Sequence, residues 1–321
     1  MDLSTLRDYA RSKSDEQSTG FVSNVELNRF INQGSKYLYN TIAQRFENYF
    51  IVRGDNGSSF TTFATTDVNT TTDQITISRS LQTGDPIVFK TTGILPAGLS
   101  ASITYYVIRV SSTVIQVAST IDNAESNTAI DITSQGSGTH SIGNRGRFDT
   151  VNRRQEYPLP SDMMKLVRVE HRQSGSVSED DWLGLNSLNI GNDRIRTFYP
   201  PREGWGPGPG FGYFIAGNKI YLRPEPTFSF QIRLWYLPRM QDLSQDSDVP
   251  IIPEEYHELI ADYAAIEILA KSGENIWRER SEIFKNNVQN LIETIEIRNQ
   301  QSEQMMVSDE FSFDITGFSV P

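Results

Sequence analysis

The 321-residue chain contains no cysteine. That absence removes disulfides, thiolate-held zinc, iron–sulfur clusters and thiol nucleophiles together, and it suits a reducing compartment. Histidine is almost as scarce. His140, His171 and His257 are the whole set, none at metal-ligand spacing from another, so they read as surface or core residues and not as ligands. Long apolar runs are missing too: no stretch approaches the ~18 apolar residues that span a bilayer, and the start MDLSTLRDYARSKSDEQ lacks an apolar signal core. The expectation is a soluble, unprocessed cytosolic product. Positive charge is the last deficit, with 29 Lys and Arg against 40 Asp and Glu, a formal net charge of -11 that opposes gripping a polyphosphate.

Patterns that carry chemistry are equally thin. Gly206, Gly208, Gly210 and Gly212 could suggest a phosphate cradle, but Pro207 and Pro209 lack the N–H groups it needs and no Gly-Lys-Ser/Thr follows. Asp242, Asp246 and Asp248 lack the central glycine and well-placed closing glutamate of a calcium loop, and read as a solvated linker. Glu254–Glu255 and Asp180–Asp181 are merely adjacent. Arg145, Arg147, Arg153 and Arg154 form the one basic cluster; Asp149 and Glu156 are interleaved and no aromatic platform accompanies it, so salt bridging to another protein is the expectation. No catalytic, cofactor or metal constellation is visible, and the chain is expected not to be an enzyme.

What is present is a well-marked helix, SNVELNRFINQGSKYLYNTIAQRFENYF, from Ser23 to Phe50. Ser23 and Glu26 form a capping box. Leu27, Ile31, Gly34, Leu38, Ile42, Phe46 and Tyr49 make one apolar stripe that needs other helices to cover it. A short helix over residues 2–12 precedes it. From Phe60 to about Gly143 the chain turns rich in Ser and Thr, with apolar pairs two apart such as Ile75/Ile77, Ile87/Phe89, Tyr105/Val107 and Ile115/Val117, which predict a small all-β domain. A strand over Met164–Glu170 follows YPLPSD. Gly212–Ile215, Lys219–Arg223 and Phe228–Tyr236 then read as a three-stranded meander.

The acidic linker 237–252 leads to Pro253 and a helical hairpin. Its first helix carries Leu259, Ile260, Tyr263, Ala264, Ile266 and Ala270 and is capped by Lys271-Ser272-Gly273; its second runs from Glu274 to about Gln300 with Trp277, Phe284, Val288, Leu291 and Ile295 on one face. The hairpin should pack against the Ser23 helix. Residues 253–321 hold 14 acidic and 5 basic residues, so -9 of the -11 sits there. Such a surface reads either as a solvated helix face or as one that passes a polyanion without holding it. The fold expected is α+β: a helical bundle core of two long helices plus the C-terminal hairpin, a small antiparallel β-sheet, and an inserted all-β domain.

In order along the chain, STLRDYARSK, FVSNVELNRFINQGSKYLYNTI, YPLPSDMMKLVRVE, GNKIYLRPEPTFSFQIRLWYLP and SDVPIIPEEYHELIADYAAIEILAKSGE resemble bacteriophage head-to-tail adaptor (connector) proteins, over about 1–60 and 145–300. The resemblance implies a structural virion protein of the neck: a homo-oligomeric ring, commonly twelve-fold, around the DNA channel, bound to the portal and to a tail nozzle or fibre protein. It implies portal docking through a C-terminal tail, here residues 301–321 with Met305, Met306, Phe311, Phe313, Ile315 and Phe318. The bundle core would be Leu27, Ile31, Leu38, Ile42, Phe46, Tyr263, Trp277, Phe284 and Leu291, and Glu279, Glu282, Glu293 and Glu296 are candidate channel-facing acids. The adaptor core spans 1–64 and 144–300, with the meander at 157–236. The segment 65–143 departs from compact members and is similar to a β module of phage structural proteins; as an insertion it spares the core only if its ends lie together. No cofactor and no membrane partner are expected, and the locale is the virion neck after assembly in the host cytoplasm. The alternative is a tail- or fibre-associated protein whose β insertion binds host glycan or another tail protein.

Overall fold

The computed structural model describes residues 1–15, 20–173, 181–188, 211–273 and 275–306, the last nine as helical backbone only. The chain divides into two compact units, Met1–Phe46 with Asp242–Pro321, and Glu47–Gln241. It is an α+β protein whose described residues form sixteen strands in three sheets, mostly antiparallel, and five α-helices.

In the first unit, α1 (Leu3–Ser14) begins where the Asp2 carboxylate accepts the Thr5 amide at 2.8 Å. α2 (Asn24–Arg45) begins as its sequence dictates, with Ser23 Oγ accepting the Glu26 amide at 3.2 Å. The reciprocal half of the capping box gives way to a stronger partner, the Lys271 ammonium, 2.7 Å from the Glu26 carboxylate. α2 also stops short of Phe50: a 3₁₀ turn over Glu47–Tyr49 follows, and Tyr49 is exposed, packed edge-on to Phe50 and off the apolar stripe.

Packing partners decide which helix is central. α4 (His257–Ser272) buries Leu259, Ile260, Ala261, Ala264, Ala265, Ile268 and Leu269, which together cover most of its circumference. A helix apolar on so many sides has to be enclosed. α4 packs against α1, α2 and α5 (Ile276–Met306), so the centre of this unit lies there and not in α2. Gly34 makes the α2–α4 approach possible, because a Cβ there would lie 2.9 Å from the Tyr263 Cβ. Tyr37, Tyr263 and Phe284 then form an aromatic triad across α2, α4 and α5, with centroids 5.8–6.0 Å apart. Gly273, at φ 80°, takes the left-handed position that ends α4.

The second unit holds a seven-stranded sheet in the order β2 (Ser58–Phe63), β8 (His140–Asn144), β5 (Pro86–Thr91), β6 (Tyr105–Arg109), β7 (Val114–Ala118), β4 (Gln74–Thr76), β3 (Val68–Asn69). Its two edge strands, β2 and β3, are consecutive in the chain and joined by the 3₁₀ turn Thr65–Asp67, so the sheet curls until its edges meet there. It encloses Phe63, Ile75, Ile87, Phe89, Val107, Val117 and Ile142. The sheet begins at Ser58, ahead of residue 65, because β2 takes β8 as its partner. Phe63 lies opposite His140, which brings residues 64 and 139 together as an insertion requires.

A second sheet joins β1 (Val52–Arg53) and β9 (Arg147–Asp149) to one side of β16 (Phe230–Pro238), with β11 (Met163–Gln173) and β12 (Leu183–Gly184) beyond its other side. A third orders β10 (Glu156–Pro158), β15 (Lys219–Arg223), β14 (Gly212–Ala216) and β13 (Asn186–Ser187), the last pair parallel. The expected meander is therefore split. β14 and β15 pair, but β16 is buried on both faces and leaves for β11, the one strand long enough to match it. A core shared by these two sheets also takes Tyr106, Ile108 and Ala118 from the outer face of the barrel and Ile121 and Ala124 from α3 (Ile121–Glu125).

Candidate functional site

Outward-facing groups on α5 come first. Glu279, Glu282, Glu293 and Glu296 are all exposed and fall within about a third of the helix circumference, opposite the buried Phe284, Val288, Leu291 and Ile295. Lys285 holds Glu282 at 2.7 Å, and the Gln289 amide donates to Glu293 at 3.0 Å. Beside the acids stand the exposed Ile276, Ile283 and Ile297, spaced by multiples of seven residues. This face therefore carries a line of apolar groups as well as carboxylates.

The other residues singled out in the sequence fall as follows. Leu27, Ile31, Leu38 and Ile42 are fully buried, Phe284 and Leu291 nearly so, while Phe46, Tyr263 and Trp277 are half-buried. Met305 and Met306 belong to the last turn of α5 with side chains outside the described residues, and Phe311, Phe313, Ile315 and Phe318 lie outside them altogether. Gly206, Gly208 and Gly210 are likewise outside. All three histidines are buried: His140 Nδ1 is 2.9 Å from Thr91 Oγ1, and His257 Nε2 donates to the Ile252 carbonyl at 2.7 Å.

Two sequence clusters find partners within the chain. The linker aspartates have separate partners, Asp242 with Lys36 at 2.5 Å, Asp246 with Arg7 at 2.5 Å, and Asp248 with the amides of Ser244 and Gln245. Arg154, expected to meet another protein, is spent within the chain on Asp122 at 2.8 Å and Glu125 at 2.5 Å of α3. Arg147 joins a third group that composition alone did not reveal. Its guanidinium, with those of Arg172 and Arg233, surrounds the Trp182 ring at 4.1–5.6 Å. Arg233 is buried and balanced by Glu170 at 2.7 Å and Asp55 at 2.9 Å, as a buried charge requires.

A second inward group joins the barrel root to β16. Ser58 Oγ donates to Asp162 at 2.7 Å and lies 2.7 Å from the Tyr236 hydroxyl, and Ser59 also donates to Asp162 at 2.7 Å. Burial, with the Asp162 charge beside it, pushes the Tyr236 hydroxyl well above its ordinary pKa, so it stays protonated. Arg79 donates to the Ser59 carbonyl. Asp85, also buried, has one carboxylate oxygen on the Gln82 amide, and burial pushes its pKa up to about 6. These bonds latch Ser58 and Ser59 to Asp162 and to Tyr236 of β16. Only the spacing of Ser58-Ser59 from Asp162 and Tyr236 in three dimensions makes the latch, which no local pattern announces.

Among the described residues, no group of three or more His, Asp and Glu is placed to hold a metal ion, and no helix is long and apolar enough to cross a membrane. No curated protein matches the chain. The sequence model of the SU10 adaptor protein family matches residues 144–309, from the end of β8 through α5 and just over half of the chain. α1, α2 and most of the barrel lie outside the matched stretch. The chain belongs to the SU10 adaptor protein family, a family of phage adaptors.

Proposed function

We propose that the protein is a ring-forming head-to-tail adaptor that joins the portal to the tail around the DNA channel, without turnover of any substrate. The family match over residues 144–309 carries the reading, because it takes in β16, α4 and α5 together. The ring is twelve-fold by resemblance, the tail after α5 docks on the portal, and the opposite end meets a tail nozzle or fibre protein. The exposed α5 glutamates support a passage that DNA traverses without sticking, since carboxylates repel phosphates over roughly a Debye length, ~8 Å at physiological salt. The barrel decorates the outside, tied on through the adjacent residues 64 and 139.

Electron microscopy of the purified protein, alone and mixed with its portal, tests this. Closed rings alone or a ring stacked on the portal are expected. A persistent monomer in both samples would sink the adaptor assignment, and rings with all four α5 glutamates on the outer rim would remove the channel role from them.

A further inference from the structure

Asn56-Gly57 is the one Asn-Gly pair in the chain, and it stands where the chain enters the barrel. A 3₁₀ turn over Gly54–Asn56 leads into it, and β2 begins at Ser58. Gly57 is imposed by the fold: it takes φ +72°, and a Cβ there would lie 2.7 Å from Val88 Cγ1 and 2.8 Å from Phe60 Cζ. Asn56 is under no such constraint. Its side chain is exposed and makes no hydrogen bond among the described residues. These are the two conditions for a main-chain amide nitrogen to attack the carbonyl of the preceding asparagine side chain. No Cβ on the following residue obstructs the approach, and the asparagine is free to turn into position.

We propose that Asn56 is a site of spontaneous deamidation and chain isomerisation at the root of the barrel. The Gly57 nitrogen gives its proton to solvent base and bonds to Asn56 Cγ, the Cγ–Nδ2 bond breaks, and ammonia leaves. Water then opens the cyclic imide. Opening at Cγ leaves an aspartate, while opening at the main-chain carbonyl leaves an isoaspartate, in which the chain runs through Cβ and Cγ and is one backbone atom longer.

The surroundings give that extra atom its effect. On one side Asp55 is held by Arg233 at 2.9 Å, with Arg147 at 3.5 Å. On the other, Ser58 donates to Asp162 at 2.7 Å and lies opposite Asn144 of β8. Only Asn56 and Gly57 separate these anchors. The chain just beyond is already irregular, since Ser59 takes φ 53° and the β2–β8 register shifts between Ser58 and Thr61. Little backbone is therefore available to absorb a longer link, and the isoaspartate form loosens β2 from Asp162 and β8. The aspartate form adds one exposed charge and leaves the path of the chain as it was. None of this needs a partner, so it stands apart from the adaptor reading.

The test warms full-length protein at mildly alkaline pH in oxygen-18 water. Peptide mass spectrometry is expected to find labelled product at Asn56 at least tenfold sooner than at Asn186, which precedes Ser187 in β13, with isoaspartate as the larger share by electron-transfer fragmentation. The thermal midpoint of the aged protein is expected to fall. Fresh Asn56→Asp should melt with the fresh native protein, and Asn56→Gln, whose longer side chain closes its ring far more slowly, should keep its midpoint through the same treatment. Label at Asn56 appearing no sooner than at Asn186 would overturn the site. Aged native protein that melts with fresh Asn56→Asp, or Asn56→Gln that loses as much on ageing, would overturn the loosening of the barrel root.

Discussion

Asp85 and His171 titrate in opposite senses across one pH window. Burial raises the Asp85 carboxyl to about 6, so the folded state holds that proton more tightly, and its contribution to stability falls as pH rises from about 4 to 6. Burial lowers His171 to about 4, so its contribution is complete above about 6.5 and is lost as pH falls towards 4. Each shift of about 2 units corresponds to roughly 2–3 kcal/mol, and the two largely cancel in the native protein. Single substitutions uncouple them. Asp85→Asn is expected to raise stability at pH 7 by about 1–3 kcal/mol, with the gain vanishing near pH 4. His171→Phe, which keeps an aromatic ring near Phe230 and removes a nitrogen without a partner, is expected to become more stable on acidification from pH 6 to 4. Urea melts at four pH values read both; parallel pH profiles for all three proteins would contradict the account.

The helices show what local pattern can and cannot convey. Ser23, Glu26 and the α2 stripe were legible because capping and a 3.6-residue period are properties of neighbouring residues. That α4 is the hub was not, although its apolar residues cover nearly every side, because enclosure is a statement about three partners at once. The strands repeat the lesson: Phe228 to Tyr236 reads as alternating, yet Arg233 points into the core, where Glu170 and Asp55 neutralise it. The latch of Ser58, Asp162 and Tyr236 was illegible for the same reason. The α2–α4 crossing gives an element-scale prediction. Gly34→Ala gains about 1 kcal/mol of helix propensity and loses about 1–3 kcal/mol to the contact with Tyr263, a net loss of up to about 2 kcal/mol. Because the closest clash partner is the Tyr263 Cβ, the double substitution Gly34→Ala/Tyr263→Gly, which removes that atom, should cost less than the two single losses added together, a coupling that chemical denaturation of the four proteins measures.

For the whole molecule, the barrel is both attached and shared. Residues 64 and 139 are adjacent, yet Tyr106, Ile108 and Ala118 close the same core as Phe148, Tyr157 and Phe230. Excision of 64–139 is therefore expected to uncover that core and lower the thermal midpoint by at least 10 °C, so loss of rings in the excised protein reports unfolding before it reports assembly. Ile94→Asp, at a loop position 72% exposed, tests decoration cleanly: ring formation and portal binding measured by sedimentation should be unchanged. The two-part helical unit also sets an order of events in time. α1 and α2 leave the ribosome first, while α4, which covers them, follows after roughly 200 more residues, about 10–40 s later at ordinary synthesis speeds of ~5–20 residues per second. During that interval the entire β unit can fold as a loop whose ends are not yet joined. The helix on which the first unit depends is made only after the whole β unit, so a translation product interrupted between the two keeps a finished barrel and two helices with nothing to close them.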